Sequence, residues 1–584
     1  MNAQPRRREP VLVAVLTAIV LLLAACSGVP RSSRPEVIRT VGGSSSADPV
    51  GSAPRPGADP REIMNGFLGD SKYADARHSL SRQYLSSDAA NKWQDSPVVV
   101  TVDEPSFSII LRPDNTALAV VSYAERGQLD ATGVYTPVTK GDGMSGEQQR
   151  TFTMSKVNGV WRISQLDPGV LISEADFDTY YFARTLYFFD STNTMLIPDV
   201  RYAAQRDESL AQWLFTQLLA GPRPDLPTVQ TQIPNQAQTD KRSSLKFGQP
   251  LDIDLPGASQ LDDQNRQRLA VQLAYTFNQI FSFGTVRLTL SDVGKPVSIS
   301  GVGTQFAQSN FPSYAVGTPP VNAELYYVRA GRLYIGAGGK PVAGPAGAGD
   351  YDLRSVALTR TPSGDVEVAG VGGNGQLWVG ALGGTLHRVA LPGSATVSPP
   401  EWQPNGTVAW VAAGGRIFRF GPGSTAATSV GSPGSLNGGE LPRGSIRSLR
   451  FSPDGARMSI VLAAADGGSA LYVGSVRTPN GESSLEDFQQ ITPDQRTVLD
   501  AAWHDDTTLY YITSTEIYQL GSDGSQFETV PTAQLPTPLQ RITAAIGQPP
   551  VVSAGTTLWR YSGSWSLIAG TDAASVGEGP VYGF

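Results

Sequence analysis

The sequence predicts a multi-domain protein, α+β in its first folded half and all-β at its end, where a β-propeller accounts for the pattern. Three observations carry that prediction. A short apolar run near the start stops at the chain's single cysteine. Helical and strand-like stretches alternate from about residue 60 to residue 300. Beyond that, a turn followed by a short aromatic strand recurs about every 43 residues, the size of a four-stranded blade. The 584 residues leave room for several domains, and 62 Gly with 43 Pro favour turns over long helices.

Composition removes several function classes. The net charge is -7, only eight of the 45 basic residues are Lys, and no basic run follows residue 10. Nucleic acid is therefore a poor partner. Cys26 is the only cysteine, which excludes an intramolecular disulfide and any Cys-rich zinc or iron-sulfur site.

The segment 1–25 reads as a signal peptide. Arg6, Arg7 and Arg8 precede an apolar run from Val11 to Ala25, too short for the roughly 20 residues of a spanning helix. It ends in Leu23-Ala24-Ala25-Cys26, which resembles the bacterial lipobox. The resemblance implies cleavage after Ala25, an S-diacylglycerol group on Cys26 and acylation of the freed amino group; more than one chain matters because a single one holds a protein only marginally. Residues 26–60 are rich in Ser, Gly, Pro and Arg without periodicity and predict a lipidated flexible tether.

The segment 61–180 opens with a helical stretch at Asp59-Pro60, with Ile63, Phe67, Tyr73, Leu80 and Tyr84 as apolar positions. Strands are predicted at Val98–Val102, Phe107–Leu111, Leu118–Tyr123, Gln149–Met154 and Val160–Leu166, with turns at Pro113-Asp114-Asn115 and Asn158-Gly159. Helices first and an antiparallel sheet after, closing on Gly159-Val160-Trp161-Arg162-Ile163, resemble the NTF2-like α+β superfamily, which hosts both enzymes and binding modules. His78, among Arg77, Ser79 and Arg82, is expected on a solvated helix face.

The segment 181–305 predicts helices at Asp207–Ala220, capped by Asp207 or Ser209 and ended by Gly221-Pro222, and at Asp262–Phe281. The apolar stretches Thr185-Leu186-Tyr187-Phe188-Phe189 and Met195-Leu196-Ile197-Pro198 precede the first helix, and strands are predicted at Ser244–Phe247, Pro250–Leu255 and Thr285–Leu290. This order, with Leu218-Leu219-Ala220-Gly221-Pro222 and Ile233-Pro234, resembles the GerMN α/β domain, an extracytoplasmic interaction module. Asp252 and Asp254 alternate on one strand and share a face, and are expected as solvated carboxylates in the absence of a third cation ligand.

The segment 318–584 carries the repeat. Turns are placed at Thr361-Pro362-Ser363-Gly364, Gln403-Pro404-Asn405-Gly406, Ser452-Pro453-Asp454-Gly455, His504-Asp505-Asp506-Thr507, Gln548-Pro549 and Glu578-Gly579-Pro580. Aromatic strands follow at Leu377-Trp378-Val379, Ile417-Phe418, Leu471-Tyr472-Val473, Ile517-Tyr518 and Leu558-Trp559. Six turns predict six blades. Glu324–Val328 and Arg332–Ile335 lack a first strand, which Ala573–Phe584 supplies, so one blade is built from both ends and no sheet edge stays open. A seventh blade would need a weak repeat within the Gly/Ser-rich Ala426–Leu441.

Catalytic signals are scarce: no G-x-S-x-G, H-E-x-x-H, P-loop or dinucleotide fingerprint occurs. Ser243-Ser244-Leu245-Lys246 matches S-x-x-K but lies in strand-like sequence. His504 occupies a blade turn, where a turn hydrogen bond accounts for it, and His387 stands in Leu-His-Arg. No catalytic residue, metal ligand or cofactor is expected. Lipobox, tether, α+β domain, GerMN-like domain and propeller, in this order, resemble the actinobacterial LpqB lipoproteins. That resemblance implies a membrane-anchored extracytoplasmic protein that is not an enzyme. It would touch membrane lipid through Cys26, bind the extracytoplasmic region of an MtrB-like sensor histidine kinase, and modulate two-component signalling in cell-wall homeostasis and division. The alternative is an envelope glycan-binding protein or hydrolase acting through the propeller channel, which carboxylates converging on that channel would favour.

Overall fold

The computed structural model describes residues 54–584 apart from 75–76, 140–145, 227–228, 282–283, 315–322, 337, 393–395, 432–434, 437–438, 441–443, 465–466, 478–483, 494–496, 569–576 and 584. Helix α1 (Pro60–Asp70) starts where the sequence placed it. Asp59 accepts from the Glu62 backbone N–H at 2.9 Å while Glu62 reaches back to the Asp59 N–H, a reciprocal cap with Pro60 in the first turn. Ile63, Met64 and Phe67 form its buried stripe.

The helical stretch does not continue as one face. Only α2 (Ser79–Arg82) and α3 (Ser87–Lys92) follow, because Arg77 and His78 adopt φ of 62° and 53° and reverse the chain. His78 is consequently not on a solvated face. It is buried, 4% exposed, with Nδ1 3.0 Å from Asp95 Oδ2 and its ring edge toward Trp93. That hydrogen bond holds the Asp95 carboxyl below its ordinary range.

The first sheet comprises β1 (Val98–Thr101), β2 (Ser106–Leu111), β3 (Thr116–Leu129), β4 (Tyr135–Pro137), β5 (Glu147–Val157), β6 (Val160–Gln165) and β7 (Val170–Ser173). Its order is β6-β5-β3-β1-β7, with β2 and β4 also on β3. The β5–β6 hairpin turns at Asn158 and Gly159 with φ of 51° and 82°, the left-handed pair that a two-residue turn requires. β7 pairs parallel to β1 and leads into α4 (Glu174–Tyr180), capped by Ser173. Phe67, Val99, Phe152, Met154 and Ile163 fill the core.

The middle segment begins with the hairpin of β8 (Phe182–Phe189) and β9 (Leu196–Ala203), followed by α5 (Asp207–Ala220) and α6 (Asn235–Thr239). α5 has the predicted bounds and buries Leu210, Leu214 and Leu218, but neither Asp207 nor Ser209 caps it. The cap position needs an extended residue, and Arg206 is that residue; Asp207, with φ 49°, already lies in the first turn. β10 (Ser244–Lys246) and β11 (Leu251–Asp254) precede α7 (Asp263–Phe277), whose N-cap is Asp262. α7 stops four residues before the predicted end, although Ile280 is still buried beyond it. β12 (Leu288–Asp292), β13 (Lys295–Val297) and β14 (Gln305–Phe306) complete a sheet in which β11 and β12 run parallel.

From Glu324 onward, six four-stranded sheets follow one another. In the first complete blade, Leu353–Arg360, Val366–Gly372, Leu377–Ala381 and His387–Val389 run from the innermost strand outward. The other innermost strands are Glu401–Trp402, Gly444–Phe451, Asp500–Trp503, Leu539–Ala545 and Gly577–Gly583. Trp402 Nε1 donates to the Ala357 carbonyl and Trp503 Nε1 to that of Arg450, both at 3.1 Å, so each ties its innermost strand to that of the preceding blade. The ring shuts where Gly577–Gly583 pairs with Glu324–Arg329, as the two incomplete ends predicted.

Two of the six predicted turns are misplaced. Glu578-Gly579-Pro580 lies inside the closing strand, at a register shift where Gly579 has φ 54°. Gln548-Pro549 opens the strand Gln548–Ala554, and the turn precedes it at Gly547, φ 69°. In the Ala426–Leu441 stretch, Thr428–Gly431 is the outer strand of the second complete blade. Ser435–Leu436 pairs with Gly439–Glu440 as a separate two-stranded ribbon, which supplies no seventh blade.

Candidate interaction site at the roofed propeller channel

Strand β9 joins all three segments. Its Tyr202 inserts into the aromatic cluster of the first segment, with ring centroids 5.1 Å from Phe177 and 6.3 Å from Tyr135. Its hydroxyl shares a hydrogen bond with Ser525 of the propeller. Tyr202 N donates to the Gly133 carbonyl at 2.7 Å, tying β9 to the loop before β4. Just before it in the same strand, Arg201 and Asp199 form a buried pair at 2.9 Å. Arg201 also donates to the Gly221 carbonyl, and Asp199 accepts from the Arg223 N–H, so neither charge lacks a partner. At the start of β9, the Pro198 carbonyl accepts from Arg457 Nη2 at 2.7 Å across the interface to the propeller.

That contact seats β9 against one mouth of the propeller channel, where the innermost strands end. Thr194, Met195 and Leu196, with Ser313 and Tyr314, face a cavity of about 580 Å³ whose other walls are propeller residues. Glu401, Asp454 and Asp506 line it together with Arg360 and Arg450. Glu401 pairs with Arg450 at 3.4 Å, yet burial outweighs the pairing and pushes its carboxyl up to about 7. Asp506 rises to about 7 through burial and the neighbouring Asp454 and Asp505. Asp454 is held by the Ala456 N–H at 2.9 Å and Arg457 at 3.4 Å. The site is a mixed-charge chamber closed over by another segment of the same chain.

The residues singled out in the sequence lie elsewhere. Leu23, Ala24, Ala25 and Cys26 fall outside the described residues. His387 is on an outer blade strand with Nε2 unpartnered. His504 makes no side-chain turn bond: Asp505 accepts from Thr507 and Thr508 N–H groups at 2.8 Å, and the His504 ring stands edge-on to Tyr510 at 5.4 Å with Nδ1 unpartnered. The shorter Asp side chain can fold back onto the turn, and the imidazole packs against the buried Tyr510 instead.

Asp252 accepts from Thr289 and Ser291 of β12 and Asp254 from the Gly294 N–H. Among the described residues no group of His, Cys, Asp and Glu is arranged to hold a metal ion. Ser243 donates to the Ala237 carbonyl while Lys246 lies 3.9 Å from Asp252, so the S-x-x-K match forms no pair. Sequence reading missed Glu401, Arg450 and Arg457; only superposing the repeats would have brought the residues flanking each turn to one mouth.

The family described as "Lipoprotein LpqB, N-terminal domain" matches residues 53–178, "Sporulation and spore germination" matches 185–296, and "Lipoprotein LpqB beta-propeller domain" matches 329–582. "Lipoprotein LpqB" of Nocardia farcinica is 28% identical over 97% of each chain, and that of Mycolicibacterium smegmatis 29% identical over 81% of each. The chain belongs to the LpqB lipoprotein family. The family's name implies membrane anchoring. Among the described residues no helix is long and apolar enough to cross a membrane. The family takes its name from a lipoprotein and a propeller domain rather than from a reaction.

Proposed function

We propose that this protein is an accessory subunit of a two-component system. It is held on the extracytoplasmic face of the cell membrane by lipid on Cys26, and it binds the extracytoplasmic region of an MtrB-like sensor kinase. Through that contact it modulates signalling to cell-wall homeostasis and division. The observation that supports this reading is the junction at β9, which holds the first segment through Gly133 and Phe177 and the propeller through Ser525 and Arg457. A subunit that relays a state to a partner needs its modules coupled in this way, and it needs no reacting group. Anchoring both proteins on one membrane raises their effective concentration, so an intrinsic affinity of about 1–10 µM suffices.

The test is direct association of the fragment from Ser27 onward with the purified sensor region, together with autophosphorylation of the full-length kinase in vesicles with and without the lipoprotein. Binding and a change in kinase rate are expected. No association at about 100 µM, well above that micromolar range, and a kinase indifferent to the lipoprotein would overturn the reading.

The glycan reading has one observation in its favour, the three carboxylates lining the channel mouth. Against it, Met195, Leu196 and Tyr314 roof that mouth and Glu401 is taken by Arg450. Retention of the fragment on envelope glycan, lost in a Glu401→Gln variant, would favour it.

A further inference from the structure

The channel has a second mouth, where the innermost strands begin, and its chemistry is different. A groove of about 870 Å³ opens there and runs outward across the first complete blade. Arg354, Arg541 and Gly579, on three innermost strands, line its inner end. Arg388, on the blade's outermost strand, lines the outer end, and the Gly372–Gln376 turn lies between. The lining contains three arginines and no carboxylate, whereas the roofed chamber sets Arg360 and Arg450 against three acids. In a chain of net charge -7 composition does not account for this. Arg541 is 3.7 Å from Asp500, which also accepts from the Ile542 N–H. Arg354 and Arg388 are exposed; Arg388 has no ion-pair partner among the described residues, and the Asp352 carboxylate lies near Arg354, against the same Gly373, without a close ion pair.

The spacing of the two exposed guanidinium groups defines the ligand. Three strand-to-strand steps of about 4.8 Å place the strands bearing Arg354 and Arg388 about 14 Å apart. A single small anion would have to draw both heads to one point, at a cost in side-chain entropy. A chain with charge repeated along it meets both where they stand. The planar guanidinium fork matches phosphate oxygens bidentately, and Gln376 and Gln540 add neutral amides along the groove.

We propose that this groove binds a linear phosphate-bearing polyanion, linked through phosphodiesters or phosphoanhydrides, laid from the channel mouth to the blade's outer edge. The inference goes beyond the signalling role and does not depend on it. Its charges could come from a free polymer or from successive phospholipid headgroups.

The test uses the chain from residue 26 with Cys26→Ser, which keeps all three folded segments in solution. Linear polyphosphate is the probe, orthophosphate and polyglutamate are competitors, and phosphatidylglycerol vesicles form a separate arm. Polyphosphate should bind, and orthophosphate at matched phosphate concentration should not displace it. Arg354→Gln and Arg388→Gln should each weaken binding about tenfold, the loss of one charge-assisted contact. Arg416→Gln, exposed and outside the groove, should change nothing. Vesicle binding that vanishes in the Arg354→Gln/Arg388→Gln double variant assigns the phosphate to headgroups and upholds the site. Unchanged binding in the double variant, an equal loss with Arg416→Gln, displacement by orthophosphate, or tighter binding of polyglutamate overturns the proposal.

Discussion

Charge placement at single residues decides how this protein responds to pH. Asp506 faces Asp454, Asp505 and Arg457 at the chamber wall, and its carboxyl is raised to about 7. A folded pKa above the unfolded value means that the native state holds the proton longer. Its contribution to stability is therefore intact at about pH 4 and lost as pH rises toward 7. Asp506→Asn should match wild type near pH 4 and exceed it at pH 8 by about 2 kcal/mol, the scale of a buried carboxylate without full compensation. Thermal unfolding at both pH values checks this, and a variant no more stable than wild type at pH 8 would count against it. Cys26 works at the same scale. Cys26→Ala should abolish incorporation of a fatty-acid probe and release the chain from membranes; a variant labelled like wild type would remove the lipobox assignment.

At the scale of elements, β9 carries more than its sequence suggests. Arg457 bridges Asp454 and the Pro198 carbonyl from a position 6% exposed. Replacing it with Met should leave Asp454 unpaired and cost about 3–5 kcal/mol at the interface. Hydrogen exchange should then rise in Leu196–Ala203 while the blade cores stay protected. Protection unchanged in β9 would show that apolar contacts alone hold the junction. Helix α1 and the Asn158-Gly159 turn were legible in sequence because cap and turn chemistry act within four residues. The reversal at Arg77-His78 was not, since no glycine or proline marks it and the pairing of His78 with Asp95 spans seventeen positions.

For the whole molecule, ring closure is the feature on which the rest depends. The strand Gly577–Gly583 is the innermost of a blade whose other three strands lie about 250 residues earlier in the chain. Deleting Ser575–Phe584 should open a sheet edge on both sides of the gap and lower the unfolding midpoint of the propeller segment by several degrees, on the scale of about 2–4 °C per kcal/mol for domains of this size. Removing ten residues from an ordinary terminus would shift it far less. An unchanged midpoint would mean that the ring does not need both ends of the chain.

The sequence alone determined the three-part order, the six-bladed count, closure by both termini and the bounds of α5, because each rests on periodicity, capping or repetition that a short window contains. Two turns were misplaced within that repeat, since Gly579-Pro580 marks a bulge as readily as a turn and Pro549 stands at a strand's start, where proline is also tolerated. Tertiary structure decided what meets at the channel. Glu401, Arg450, Asp454 and Asp506 come from three blades, and Met195 and Pro198 from another segment altogether. Arg354 and Arg388 belong to one blade, yet only its strand order reveals that they flank one groove. Burial, pairing and pKa arise from neighbours that the chain brings together only after the ring has closed, and no local pattern records them.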